Sequence, residues 1–73
     1  MDMTPVESSN IESIGFDAEK KLMRIKFLGG GLYEYSGASI DQVWADLMAA
    51  ASKGKHFTKH IRHNTKLLVE RIS

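Results

Sequence analysis

The sequence predicts a small α+β domain: a short antiparallel sheet, flat or curled into a partly open barrel, with a helix laid over it. Three observations carry this. The stretch LMRIKF alternates apolar and polar residues, IDQVWADLMAA repeats its apolar residues at helical spacing, and a glycine triplet separates LMRIKF from a second alternating stretch, LYEY. The expected order is β-β-β-α-(short α)-β.

Residues 1–5 read as a flexible lead-in, and residues 6–73 as a single domain. In NIESIGF, period-two alternation places Ile14 and Phe16 on one face of a first strand, and DAEKK follows as a polar turn. In the second strand Met23, Ile25 and Phe27 point one way and Arg24 and Lys26 the other.

Gly29, Gly30 and Gly31 supply the positive backbone dihedrals of a hairpin connection. The expected register sets Leu28 opposite Leu32, Phe27 opposite Tyr33, Ile25 opposite Tyr35 and Lys26 opposite Glu34. Apolar side chains then face apolar ones and the charges pair, whereas a slip of one residue would put Lys26 against Tyr33. On this register both tyrosines share the apolar sheet face, which makes them core residues before they are a base-stacking platform.

Ser39 and Gln42 have the spacing of a capping box, and Ile40, Val43, Trp44, Leu47, Met48 and Ala51 then fall on one helical face. Gly54 is the expected C-terminal stop. Phe57 and Ile61, four apart, predict a short helical turn that tucks two side chains under a basic surface, and LLVERIS reads as the returning strand.

Composition narrows the function classes. At 73 residues the chain builds one small core, and a domain of this size hides only about 60% of the surface its unfolded chain exposes. The absence of cysteine excludes disulfides and thiolate metal sites and suits a cytoplasmic location. No apolar run approaches the ~20 residues that span a bilayer. The N-terminal MDMTPVESS has neither the basic start nor the apolar stretch of a signal peptide.

Net charge is +1, but it is polarised. Residues 1–19 carry acidic side chains and no Lys or Arg, while residues 53–73 carry Lys53, Lys55, Lys59, Arg62, Lys66 and Arg71 against Glu70 alone. Such a layout points to an anionic partner.

Catalytic constellations are not evident. His56, His60 and His63 fall at i, i+4, i+7, but Lys55, Lys59 and Arg62 crowd the same segment against a cation, and the Glu of H-E-x-x-H is missing. Neither a metal nor another cofactor is expected, and neither is an enzyme. The glycine run leads into a strand rather than opening a helix, so it is not a phosphate loop.

The stretches VESSNIESIGFD (6–17), MRIKFLGGGLYEY (23–35) and ASKGKHFTKHIR (51–62) together resemble the KTSC domain. That family occurs as small free-standing proteins of bacteria and phages and as a C-terminal appendage of some lysyl-tRNA synthetases. Its central Y-x-Y is matched here by Tyr33 and Tyr35. Ser8, Ser9, Ile11, Ile14, Gly15, Phe16, Asp17, Phe27, Gly30, Ser52, Gly54, Phe57 and Ile61 also fall on family positions, with Trp44 on the adjoining helix face. Toward the C-terminus, where similar sequences often carry an aromatic, this chain has Leu67, Leu68 and Val69.

The resemblance implies an Sm-like barrel with the helix between the third and last strands, and the synthetase context suggests RNA binding. The residues expected to meet RNA or another polyanion are Lys53, Lys55, Lys59, Arg62 and Lys66, with His56 and His60 adding charge at lower pH and Ser8, Ser9 and Asn10 as polar contacts. The alternative is a protein-interaction or self-assembly module that works through exposed sheet edges, including pairing between copies.

Overall fold

The computed structural model describes residues 1–73. Five strands form one open antiparallel sheet in sequence order: β1 (Met3–Pro5), β2 (Ile11–Asp17), β3 (Leu22–Phe27), β4 (Leu32–Ser36) and β5 (Leu68–Arg71). Between β4 and β5 lie helix α1 (Ile40–Ala49) and helix α2 (Lys53–His56), which runs directly into a π-helical turn, Phe57–Ile61. The architecture is the expected α+β arrangement with one strand added.

The added strand, Met3–Pro5, lies within the segment read from the sequence as a lead-in. Met3 pairs with Gly15 and Pro5 with Ser13. Gly15 leaves room for the methionine side chains, since a Cβ there would come 2.5 Å from the Met3 sulfur and 3.0 Å from that of Met1, both of which would have to shift. The strand's signal is faint because it is three residues long and contains a proline, which an edge strand tolerates.

The β3–β4 hairpin keeps the predicted faces but shifts the predicted register by two residues. Met23 faces Tyr35, Ile25 faces Tyr33, Arg24 faces Glu34 and Lys26 faces Leu32. A two-residue shift preserves side-chain parity, so the apolar face is unchanged. Pairing stops at Lys26 and Leu32 because Phe27 N–H donates to the Gly31 carbonyl (3.1 Å) and Gly30 N–H to the Phe27 carbonyl (3.0 Å), a loop that Gly30 (φ +100°) and Gly31 (φ +97°) make possible.

Charge pairing also favours the observed register. Arg24 Nε donates to Glu34 Oε1 at 3.0 Å, while Lys26 turns to Glu12 at 3.3 Å. Glu12 is the extra residue of an irregularity in β2 that lets Ile11 and Ile14 both reach the core.

The core lies between one sheet face and the helices. The sheet contributes Ile11, Ile14, Met23, Ile25 and Tyr35, α1 contributes Ile40 and Leu47, the π-turn contributes Phe57 and Ile61, and Leu67 closes the end before β5. Val43, Trp44 and Met48 pack against this cluster, and Trp44 stacks on Phe16 with ring centroids 4.6 Å apart. The helical face read from the sequence is therefore the one the fold uses.

The helix boundaries differ from expectation. Ser39 precedes α1 but its hydroxyl makes no cap bond, and Gln42 bonds to Asp46 (2.8 Å) instead of completing a capping box. The helix ends at Ala49, where Ala50 turns extended, leaving Ala51 exposed outside it. Gly54 does not stop α1; it lies buried inside α2, which Ser52 caps through the Lys55 N–H. No helix is long and apolar enough to cross a membrane.

Candidate nucleic-acid interface

Gly54 organises the site. A Cβ at this position would collide with Asn10 Oδ1 and come within 2.9 Å of Ser8 Oγ. Only a glycine lets α2 approach the loop ahead of β2 this closely. The loop is fixed from its other side as well, since Leu28 N–H donates to the Asn10 carbonyl (2.9 Å), and Ser8 Oγ donates to Asn10 Oδ1 (3.0 Å). Ser8 and Asn10 thereby form one structural unit with Gly54, more than 40 positions later in the sequence.

The π-turn arranges the basic stretch. Arg62 N–H reaches back five residues to the Phe57 carbonyl (2.9 Å), a wider turn than an α-helix makes and one frequent at functional sites. From Lys55 to Arg62 the side chains then sort in pairs four apart. Phe57 and Ile61 are buried, Thr58 and Arg62 line one cavity, Lys55 and Lys59 line a second, and His56 and His60 line a third.

The first cavity, about 350 Å³, is aromatic. Phe27, Tyr33, Tyr35 and Phe57 form its walls, with Asn10, Gly30, Thr58 and Arg62 around them. The rings meet edge to face: Phe27 and Tyr33 at 5.7 Å, Phe27 and Phe57 at 5.2 Å, Tyr35 and Phe57 at 6.0 Å. The second, about 300 Å³, is wholly polar and lined by Ser9, Asn10, Gly54, Lys55, Thr58 and Lys59. Asn10 and Thr58 belong to both linings, so pocket and groove adjoin. Neither lining includes a carboxylate.

The two tyrosines therefore have different positions. Tyr35 is a core residue, 4% exposed, and its hydroxyl is pushed up to about 12, first by burial and then by the neighbouring Tyr33. Tyr33 is half-buried, with the Arg71 guanidinium 5.8 Å from its ring centroid. Neither ring lies flat and open on a bare sheet.

The basic residues named from sequence divide. Lys55, Lys59 and Arg62 gather at the pocket and groove, whereas Lys53 bonds to the Ala50 carbonyl (3.2 Å) and Lys66 sits in the loop before β5, outside both linings. His56 and His60 face away from that site, toward Asp46, with rings 4.6 Å apart. The His56 imidazole is held below its ordinary value by burial and by His60, with Asp46 opposing. His63 is exposed, and no three metal-ligating side chains gather anywhere in the chain. Sequence reading missed Thr58; its signal is the fourfold spacing in Lys55-His56-Phe57-Thr58 and Lys59-His60-Ile61-Arg62.

Residues 7–64 match the KTSC domain. The chain belongs to the KTSC domain family. An uncharacterised protein of Stutzerimonas stutzeri is 34% identical over 59 residues, 81% of this chain and 82% of its own length. A protein of Tsukamurella paurometabola is 42% identical over 53 residues, 73% of this chain and 78% of its own. The crystal structure of a KTSC domain protein from Yersinia pestis superposes with a TM-score of 0.86 at 35% identity, covering 99% of this chain and 97% of that one. Within the matched span, Ser8 and Gly54 meet at the loop–helix contact, and Phe57, three residues after Gly54, lines the aromatic pocket.

Proposed function

We propose that this KTSC domain is a small non-enzymatic, cytoplasmic module that binds RNA through its phosphates, using Lys55, Lys59 and Arg62. The observation that carries the reading is the charge of the site: three cations line two adjoining concavities that contain no carboxylate. A strand of phosphates following that surface meets cations along its length and no carboxylate in either lining. The reading of the meander as a variant of the Sm-like barrel, with the helices set between its last two strands, belongs to the same proposal.

The test is a titration of labelled single-stranded RNA at low and moderate salt. Binding is expected at low salt, weakening steeply as salt rises, and the double variant Lys55→Glu/Lys59→Glu is expected to abolish it. No binding at low salt, or binding indifferent to both substitutions, rejects the proposal.

A second reading, assembly or protein interaction through a sheet edge, is favoured by β5. It is an edge strand on which Leu68 and Val69 are 73% and 53% exposed. A strictly monomeric mass at high protein concentration speaks against self-assembly.

A further inference from the structure

The aromatic pocket has features that binding by phosphates alone does not require. Four of its eight lining residues are aromatic, and its volume of about 350 Å³ lies at the lower end of the range that small-molecule sites occupy, roughly 300–1,000 Å³. The rings pack edge to face on one another along this lining.

Its polar groups are also uncommitted. None of the side-chain hydrogen bonds in the protein involves Tyr33 or Tyr35. No buried polar side-chain atom is left without a partner, so the hydroxyl of the otherwise buried Tyr35 is not fully enclosed, and Tyr35 is one of the residues that line the pocket. As a phenol, that hydroxyl is protonated and able to donate at neutral pH. Asn10 Oδ1 is engaged by Ser8, which leaves the amide N–H groups of Asn10 for a ligand.

We propose that the pocket walled by Phe27, Tyr33, Tyr35 and Phe57 receives one unstacked nucleobase of a single-stranded RNA. The tyrosine hydroxyls and the Asn10 amide meet the polar edge of the base, Arg62 meets its phosphate, and the chain continues across Thr58 into the Lys55–Lys59 groove. The proposal rests on the RNA-binding reading above and adds to it that the protein reads bases as well as charge. An aromatic wall suits this role because every base has a π-face that can stack on it. The pocket's hydrogen-bonding groups then favour some bases over others.

The test compares, for the full chain at low salt, a labelled eight-nucleotide oligouridylate with an abasic ribose-phosphate oligomer of the same length and charge. The RNA is expected to bind about tenfold more tightly or better, as loss of one base–aromatic contact predicts. Tyr33→Ala is expected to erase that difference while leaving the affinity for the abasic oligomer unchanged. The milder Tyr33→Phe keeps the ring, so it retains most of the preference. Equal binding of the two oligomers by the unmodified protein overturns the base pocket while leaving phosphate binding intact; absence of binding to either overturns both. The comparison on unmodified protein decides the question even if Tyr33→Ala fails to fold.

Discussion

Gly54 and Asn10 are in such close apposition that a single methyl group on the glycine would overlap the asparagine amide. The contact ties α2 to the loop before β2 and sets Asn10 where the aromatic pocket and the basic groove join. Two opposed effects bear on a substitution there. Helix propensity favours alanine over glycine by about 1 kcal/mol in a helix interior, whereas the collision must displace Asn10 and Ser8, both fixed by hydrogen bonds. The collision is expected to win, because relief requires moving a part-buried turn held by its own hydrogen bonds. Gly54→Ala should therefore lower the melting temperature. An unchanged or higher one would mean that the loop moves aside freely.

The core and the β5 edge should respond oppositely to truncation. Ile25 is fully buried and belongs to the central cluster, so Ile25→Ala should destabilise by roughly 2–5 kcal/mol. Leu68 is 73% exposed, and Leu68→Ala should stay within about 0.5 kcal/mol in dilute solution. Urea denaturation measures both. A large loss at Leu68 that grows with protein concentration would reveal a β5 contact between copies.

Alkaline titration examines the burial of Tyr35. Its hydroxyl is raised to about 12 in the folded chain, against an unfolded value of 10.0. A raised folded-state pKa means that the stabilisation is complete below pH 10 and is lost between pH 10 and about 12, as the unfolded chain releases the proton first. Phenolate absorbance should show a late-ionising tyrosine that Tyr35→Phe removes. A titration in which both tyrosines ionise together near pH 10 would contradict the buried position.

Much of this arrangement was legible in the sequence because it rests on periodicity. The alternation of Met23, Ile25 and Phe27 and the helical spacing of Ile40, Val43, Trp44 and Leu47 each report a face, and those faces form the core. Register was less legible. Shifts of zero and two residues leave Tyr33 and Tyr35 on the same face, and only the Arg24–Glu34 pair and the loop bonds of Phe27 separate them. Gly54 misled because a glycine after a helix commonly terminates it, whereas here its lack of a side chain serves a contact with Asn10, 44 positions earlier, which no local pattern encodes. The same holds for the candidate site. The cations were visible as composition, but the division that puts Lys55, Lys59 and Arg62 beside the aromatic pocket and leaves Lys53 and Lys66 outside depends on how the helices and the following loop pack, which composition does not encode.

The central claim is that RNA meets one particular face, formed by the pocket and the groove beside it. Backbone amide shifts of labelled protein, followed by NMR as a short single-stranded RNA is added at low salt, test it most directly. The account predicts perturbations concentrated at Asn10, Lys55, Thr58, Lys59 and Arg62, with Leu68 and Val69 unmoved. Perturbations confined to the β5 edge, or none at all, would contradict it.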